Sequence, residues 1–366
     1  MKSIVFITGS QSRTGGTERV CADLCNNLAR DQADYKITIL SLYNGKISGF
    51  PVDNNVVLDE LTDNQLSGYI NNLYLSLLLT KYVIKNKPDI IVGVESLIFL
   101  NMVFTRFLPN RPKLICWEHF NLEVNLGVRL RDHARGLATI LADKIVVLSR
   151  EDEKYWLDKF PNINHKLIHI FNPNPFEKVV KNSAGRKPKK TILAAGRLTY
   201  QKGFDLLLES WSKIPITIRD KWTVKIAGEG EDRAKLEKLI KQHNLADSVV
   251  FLGYCKNIAK EYESASIFAL SSRFEGFGLV LLEALSYQLP VVSFKCPAGP
   301  SEIISDGING FLIENGNTQE FSEKLLDLMQ NETLLLNMKN NTKYKLERFN
   351  GESITKEWTA LFNELN

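Results

Sequence analysis

No two aspartates stand two residues apart anywhere in this 366-residue chain. That absence removes the Asp-x-Asp device that commonly holds a metal ion on a nucleotide diphosphate. The five cysteines (Cys21, Cys25, Cys116, Cys255, Cys296) are odd in number and scattered, which argues against a disulfide framework. Cys21 and Cys25, four apart, share a helix face and suit packing as small apolar residues. The five histidines form no ligand cluster with cysteine. Long apolar runs are missing too: the run around Leu73–Leu79 stops at Lys81, short of the length that crosses a bilayer. The apolar start, Met1–Gly9, is too short for a signal peptide, so a cytoplasmic protein is expected. No segment concentrates basic residues together with aromatics, so nucleic acid is not an expected partner. The formal charge of +4 is a mild basic bias that suits phosphate-bearing substrates and an anionic membrane surface equally.

A chain of this length implies two domains, and 44% hydrophobic with 24% charged residues is a soluble globular composition. Short β-rich runs alternate with helical patterns throughout. Ile4–Thr8, Ile37–Leu42, Ile90–Val94, Leu114–Trp117 and Ile145–Ser149 read as buried strands. Between them, Val20, Leu24 and Leu28 mark one face of a helix. The texture changes over Asn172–Lys190, which is polar, basic and broken by proline, a linker composition. The alternation then restarts, with strands expected at Thr191–Ala195, Thr223–Ala227, Val249–Leu252, Ile267–Leu270 and Pro290–Phe294. An α/β fold of two doubly wound parallel-sheet domains facing across a cleft is expected, with helices on both faces of each sheet. Its divisions fall at 1–172, 173–350 and a final helix, 351–366. Ligands of such sheets bind beyond the carboxyl ends of the strands.

Four loops occupy those positions. After the first strand comes Gly9-Ser10-Gln11-Ser12-Arg13-Thr14-Gly15-Gly16, whose paired glycines stand where a helix begins and where exposed amides attract anions. This is neither Gly-x-Gly-x-x-Gly nor a P-loop, and a plain strand-to-helix turn fits as well. Trp117-Glu118-His119-Phe120 puts a histidine at a strand's end, where it suits a sugar hydroxyl or simple packing. Ala195-Gly196-Arg197-Leu198-Thr199-Tyr200-Gln201-Lys202-Gly203 presents two cations in one loop. A guanidinium fork with a point-charge ammonium suits a diphosphate. Finally, Glu275 and Glu283 stand eight apart in Arg273-Phe274-Glu275-Gly276-Phe277-Gly278-Leu279-Val280-Leu281-Leu282-Glu283-Ala284. On a helix that spacing is about 12 Å, too wide for one shared metal or proton. It suits the two ends of an extended ligand such as a sugar-nucleotide, with Gly276 and Gly278 admitting its middle.

Set in order, these loops resemble the family-4 retaining glycosyltransferases of the GT-B fold, two Rossmann-like domains with a C-terminal helix that returns to the first. The resemblance covers almost the whole chain. It runs through Gly15-Gly16-Thr17-Glu18-Arg19-Val20, Glu118-His119, Asn172-Pro173, Gly196-Arg197-Leu198 and Lys202-Gly203. It continues through Ala227-Gly228-Glu229-Gly230, Phe251-Leu252-Gly253-Tyr254, the Glu275/Glu283 pair, Ser301-Glu302-Ile303-Ile304 and Gly307-Ile308-Asn309-Gly310-Phe311. The resemblance implies a UDP-sugar donor and a saccharide or lipid-linked saccharide acceptor, with no metal and no cofactor. Arg197 and Lys202 would bind the diphosphate, and Glu283 the ribose. Glu275 would hold the transferred sugar, with backbone amides around Gly276, Phe277, Gly278 and Leu279. Tyr254 would lie by the base, Gly15 and Gly16 by the phosphates, and His119 near the reacting carbon. The sequence Glu118-His119-Phe120 is a variant frequent among enzymes that resemble surface-polysaccharide and lipid-linked glycan transferases.

The expected activity is hexose or N-acetylhexosamine transfer in surface-polysaccharide biosynthesis (O-antigen, capsule or lipopolysaccharide). A sugar-nucleotide epimerase and a non-catalytic sugar-nucleotide sensor are the competing readings. Arg129, Arg131, Arg135 and Lys144, near Trp156 and Leu126, offer a basic face that suits peripheral docking on anionic lipid. A solvated helix face accounts for them equally.

Overall fold

The computed structural model describes residues 1–32, 34–63, 68–177, 189–255 and 257–365, with backbone alone for 68–70. The chain divides into two compact units, Met1–Pro175 with Arg348–Asn366, and Phe176–Glu347. In the first, β1 (Lys2–Thr8), β2 (Tyr35–Ser41), β3 (Val56–Glu60), β4 (Ile90–Val94), β5 (Lys113–Trp117), β6 (Lys144–Val147) and β7 (Leu167–His169) form one parallel sheet. Its order among the described residues is 3-2-1-4-5-6-7. In the second, β8 (Thr191–Ala195), β9 (Thr223–Ala227), β10 (Val249–Gly253), β11 (Ile267–Leu270), β12 (Val291–Lys295) and β13 (Gly310–Glu314) run in the order 10-9-8-11-12-13. Each order reverses once, between β1 and β4 and between β8 and β11. These switch points are where doubly wound sheets open a crevice for ligands.

The central strands are apolar on both faces because helices cover both. Val5 and Ile7 pack with Leu40, Ile91, Leu114 and Leu79, whereas Phe6, pointing the opposite way, meets Trp117. The strands absent from the sequence reading are β3, β7 and β13, all at sheet edges. An edge strand shows a half-exposed pattern in place of an apolar run, as β3 does. The apolar run Leu73–Leu79 lies in the helix Gly68–Asn86, with Leu75 and Leu79 turned into the core. Among the described residues no helix is long and apolar enough to cross a membrane. Cys21 and Cys25 are buried on the helix Gly16–Asp31.

The expected linker is only partly described, since 178–188 lie outside the described residues. Its beginning is not a solvated connection. Asn172 and Asn174 are buried, and the Asn174 amide donates to the Phe349 carbonyl at 2.7 Å.

The last helix, Gly351–Glu364, packs on the first unit. Asn350 caps it by accepting from the Ser353 amide at 2.7 Å. Ile354, Trp358, Leu361 and Phe362 form its buried face. The Trp358 ring lies 4.9 Å from Trp117 and 6.2 Å from Phe6, so the helix closes the face of the sheet that Phe6 and Trp117 present. Trp358→Ala would leave a large void there. It should cost about 3–5 kcal/mol of unfolding free energy, read from the denaturant midpoint.

Candidate active site

In the second unit the loops after β8, β9 and β10 are stitched by main chain. The Gly196 amide donates to Ala227 O at 3.0 Å, Gly228 to Gly253 O at 2.9 Å, and Leu198 to Glu229 O at 3.0 Å. Gly228 sits at φ 142°, and a Cβ there would lie 1.9 Å from the Gly196 carbonyl oxygen. Only glycine permits that approach. Arg197 is exposed and has no hydrogen-bond or ion-pair partner among the described residues. Tyr254, 63% exposed, follows β10.

Lys202 ends a short 3-10 turn, Tyr200–Lys202, and Gly203 at φ 59° starts the helix Phe204–Ser212. A Cβ on Gly203 would meet the Ser271 carbonyl oxygen at 2.1 Å, so glycine lets this loop lie against the end of β11. Arg273 fastens the two. Its guanidinium takes both oxygens of Asp205 at 2.9 and 2.8 Å and also donates to Tyr200 O at 2.9 Å. Its plane lies over the Tyr200 ring at 4.2 Å. Ser271 Oγ donates to Lys202 O at 3.0 Å, and Gln201 Nε2 to Phe274 O at 3.2 Å. The result brings Lys202 Nζ to 2.6 Å from Glu275 Oε1, an atom that also accepts from Ser272 Oγ at 2.6 Å. Glu275 is buried.

From Glu275 the chain passes through Gly276 and buried Phe277 to Gly278 at φ 91°, which opens the helix Leu279–Ser286. The helix therefore begins only four residues before Glu283. The figure of about 12 Å, which assumes eight helical residues, does not describe this pair. Glu283 is buried and accepts from the Tyr262 hydroxyl at 2.8 Å. Tyr262 in turn stacks on Tyr287, with ring centroids 5.3 Å apart.

In the first unit, Gly15 precedes and Gly16 begins the helix Gly16–Asp31, at the end of β1. His119 lies beyond β5, its loop held by a buried ion pair. Arg135 Nε meets Glu118 Oε2 at 2.8 Å, both side chains essentially inaccessible. The same guanidinium donates to the carbonyls of Phe120, Asn121, Leu122 and Val124 at 2.9–3.2 Å. Glu118 Oε1 accepts the His119 and Phe120 amides at 3.0 Å each. The His119 ring packs 4.4 Å from Trp117, and its Nε2 is buried without a partner among the described residues. Burial pushes its pKa down to about 3, so the ring is neutral at physiological pH.

Two of the four expected surface cations are thus interior. Arg135 holds Glu118, while Arg131, 4% exposed, donates to Glu95 Oε1 at 2.9 Å and lies over Phe120 at 4.0 Å. Trp156 is fully buried and Lys144 pairs with Glu364 at 2.6 Å. The expected basic face does not exist as drawn, because half-buried Glu95 and buried Glu118 recruit Arg131 and Arg135, leaving Arg129 exposed. Glu95 was absent from the sequence reading. It follows β4 at the switch point with φ 90°, a strained backbone for a residue with a side chain. Burial raises its pKa to about 7, against the opposing charge of Arg131. Asp205 and Arg273 were likewise missed as a loop clamp; the signal was available in neither spacing nor composition.

Arg135→Met would leave Glu118 buried and unpaired, which should cost about 3–5 kcal/mol in denaturant unfolding. The double replacement Glu118→Gln with Arg135→Met should cost less. For His119, the unfolded imidazole titrates near 6.5 and the folded one near 3. The folded form therefore binds its proton later, and stability present above pH 6.5 is lost as pH falls toward 3. Between pH 7 and 5 that loss is about 2 kcal/mol. His119→Phe should flatten this part of the profile of unfolding free energy against pH; an unchanged slope would contradict the burial.

Residues 176–345 match the family model described as glycosyl transferases group 1. The chain is 30% identical over 372 residues to the amylovoran biosynthesis glycosyltransferase AmsD of Erwinia amylovora, covering 99% of each. It is 24% identical over 369 residues, 100% of this chain and 99% of the other, to a Campylobacter jejuni enzyme. That relative is the GalNAc-α-(1→4)-GalNAc-α-(1→3)-diNAcBac-PP-undecaprenol α-1,4-N-acetyl-D-galactosaminyltransferase. Anabaena Alr3699/HepE, crystallised in complex with UDP-glucose, superposes with a TM-score of 0.78 at 19% identity over the full length of both chains; this likeness establishes a shared GT-B fold. Matched along nearly its whole length by a relative of this identity, and by the family model across its second unit, the chain belongs to the glycosyl transferases group 1 family.

Proposed function

We propose that this glycosyltransferase moves a hexose or N-acetylhexosamine, with retention, from a UDP-sugar to a saccharide acceptor that is a lipid-linked glycan of surface-polysaccharide biosynthesis. The observation that carries the reading is the joined pair of loops at the switch point of the second sheet. There Lys202 touches Glu275 at 2.6 Å and Arg197 stands exposed six residues from the end of the same loop. Arg197 and Lys202 face the diphosphate and offset the charge that grows on the leaving group. Because two side-chain cations supply that charge, no divalent metal is required. Glu275 holds hydroxyls of the transferred sugar. It binds and does not attack, since its Oε1 already accepts from Lys202 and Ser272. Glu283, oriented by Tyr262, takes the ribose hydroxyls, and the amides of Gly276–Leu279 approach the middle of the donor. Tyr254 lies beside the base. Gly15 and Gly16 approach the phosphates, and neutral His119 contacts the donor sugar.

The UDP-glucose complex of HepE supports the donor class. The amylovoran-biosynthesis and undecaprenol-linked relatives support the acceptor class.

A thermal-shift panel tests the donor. A matching UDP-sugar at about 100 times its Kd should add about 2.7 kcal/mol of stability, and GDP-sugars should add little. With a saccharide acceptor, Lys202→Ala and Arg197→Ala should each lower kcat roughly a hundredfold, and EDTA should leave the wild-type rate intact. Glu283→Ala should raise donor KM more than it lowers kcat, because ribose contacts hold ground and transition states alike. Near-wild-type turnover in both cation variants would refute the diphosphate assignment.

A further inference from the structure

At the switch point of the first sheet, Ile7 of β1 pairs with Gly93 of β4. The loops after Thr8 and after Val94 therefore leave the sheet side by side. Glu95 opens the second of them at φ 90° and ψ 144°. Glycine reaches that backbone region far more readily than a residue with a side chain. The position is nevertheless pinned. The Glu95 amide donates to Trp117 O at 2.7 Å, and its carbonyl accepts from the Ile98 amide at 3.1 Å. A carboxyl is thus held where glycine would sit more easily.

Two ion pairs tie the helix Arg129–Leu141 to neighbouring loops, and they differ in kind. The Arg135 and Glu118 side chains are 1% and 0% exposed, and both Glu118 oxygens are engaged. That pair has nothing left to offer a ligand. Arg131 is as deep as Arg135, but the Glu95 side chain keeps 22% of its surface. Its Oε1 accepts from Arg131 Nη2 at 2.9 Å. The carboxyl has no other hydrogen-bond partner among the described residues. Arg131, its guanidinium over the Phe120 ring, grips one oxygen from the interior and leaves the other unengaged. There is room nearby, since a Cβ on Gly9 in the adjoining loop would meet nothing within 4 Å. Glu18, whose charge reaches Glu95, lies against Gly15 at the far end of that loop.

We propose that Glu95 is an acceptor-recognition residue whose free oxygen accepts hydroxyls from the terminal sugar of a neutral saccharide. An ionised carboxylate only accepts hydrogen bonds. Glu95 and Glu18 together therefore admit hydroxyl donors and repel uronates and sugar phosphates. Burial raises the Glu95 pKa to about 7, with Arg131 lowering it, Glu118 and Glu18 raising it, and Arg135 lowering it. Those four side chains, from two helices and the loop after β5, are the charged groups that face it. Above pH 7 the carboxyl is ionised and accepts; below pH 7 it takes up a proton and acceptor binding weakens. The inference rests on the proposed transfer to a saccharide and adds the chemical class of the sugar that receives it.

The test measures transfer from the UDP-sugar with the largest thermal shift to octyl glycosides of glucose, galactose, N-acetylglucosamine and N-acetylgalactosamine. Octyl glucuronide is the acidic probe. At least one neutral glycoside should be used, with kcat/KM roughly tenfold or more above that for the glucuronide. Glu95→Gln should raise KM for that glycoside roughly tenfold, with a smaller change in kcat. It should also abolish the fall in kcat/KM below pH 7, while the melting temperature and the UDP-sugar thermal shift stay at wild-type values. The double variant Glu95→Gly with Arg131→Met removes the strained side chain and its partner together, and it should transfer as poorly as Glu95→Gln. Wild-type transfer by that double variant would make the pair a structural one and overturn the proposal. Equal use of the glucuronide, no use of any neutral glycoside, or an unchanged acceptor KM in Glu95→Gln would overturn it too. A chain that binds UDP-sugar but gives one of these results refutes the role of Glu95 alone. One that binds no UDP-sugar refutes the proposed function itself.

Discussion

Guanidinium groups laid across loop backbones hold the chemistry-bearing segments of both units. A parallel sheet gathers its loops at one end but does not fix them, because each loop belongs to a different crossover. Arg273 binds Asp205 with both prongs of its fork and caps the Tyr200 carbonyl. This keeps the loop after β11 pressed against the loop after β8. Arg135 does the corresponding work beside His119, spreading its donors over Glu118 and four carbonyls. Lysine could not replace either residue, since a point-charge ammonium lacks the planar array of donors that such multiple bonding needs.

Much of the architecture was legible because central parallel strands announce themselves. Ile4-Val5-Phe6-Ile7 and Ile192-Leu193-Ala194-Ala195 are apolar at every position, as burial on both faces requires. The edge strands β3, β7 and β13 were not legible. β3 has one buried position followed by four partly or fully exposed ones, and β7 is only three residues long. The last helix was readable from the phase of Ile354, Trp358 and Leu361, all of which are buried.

The candidate site was legible as a set of loops and illegible as a set of contacts. Spacing placed Lys202 and Glu275 in loops at strand ends. Nothing local could show that two residues 73 positions apart return to within 2.6 Å of each other. The same limit explains Arg131 and Arg135. Four apart on a charged helix, they read as a solvated stripe, and only the fold reveals Glu95 and Glu118 beneath them. Pairing across a sheet is a property of topology, and charge counting along a chain does not contain it.

The single ammonium shared at the heart of the second unit has a thermodynamic consequence. Lys202 donates to Glu275, so any anion that draws the ammonium away also alters what the carboxylate can accept. Occupancy at the cation and occupancy at the carboxylate are therefore not independent events. They share one coupling free energy, and reciprocity requires each to change the other's affinity by the same factor. A ligand carrying phosphate and hydroxyls on one frame satisfies both partners together. Separate fragments, offered one at a time, would each meet a group already engaged with its neighbour. Discrimination between a whole ligand and its pieces is thus built into one hydrogen bond.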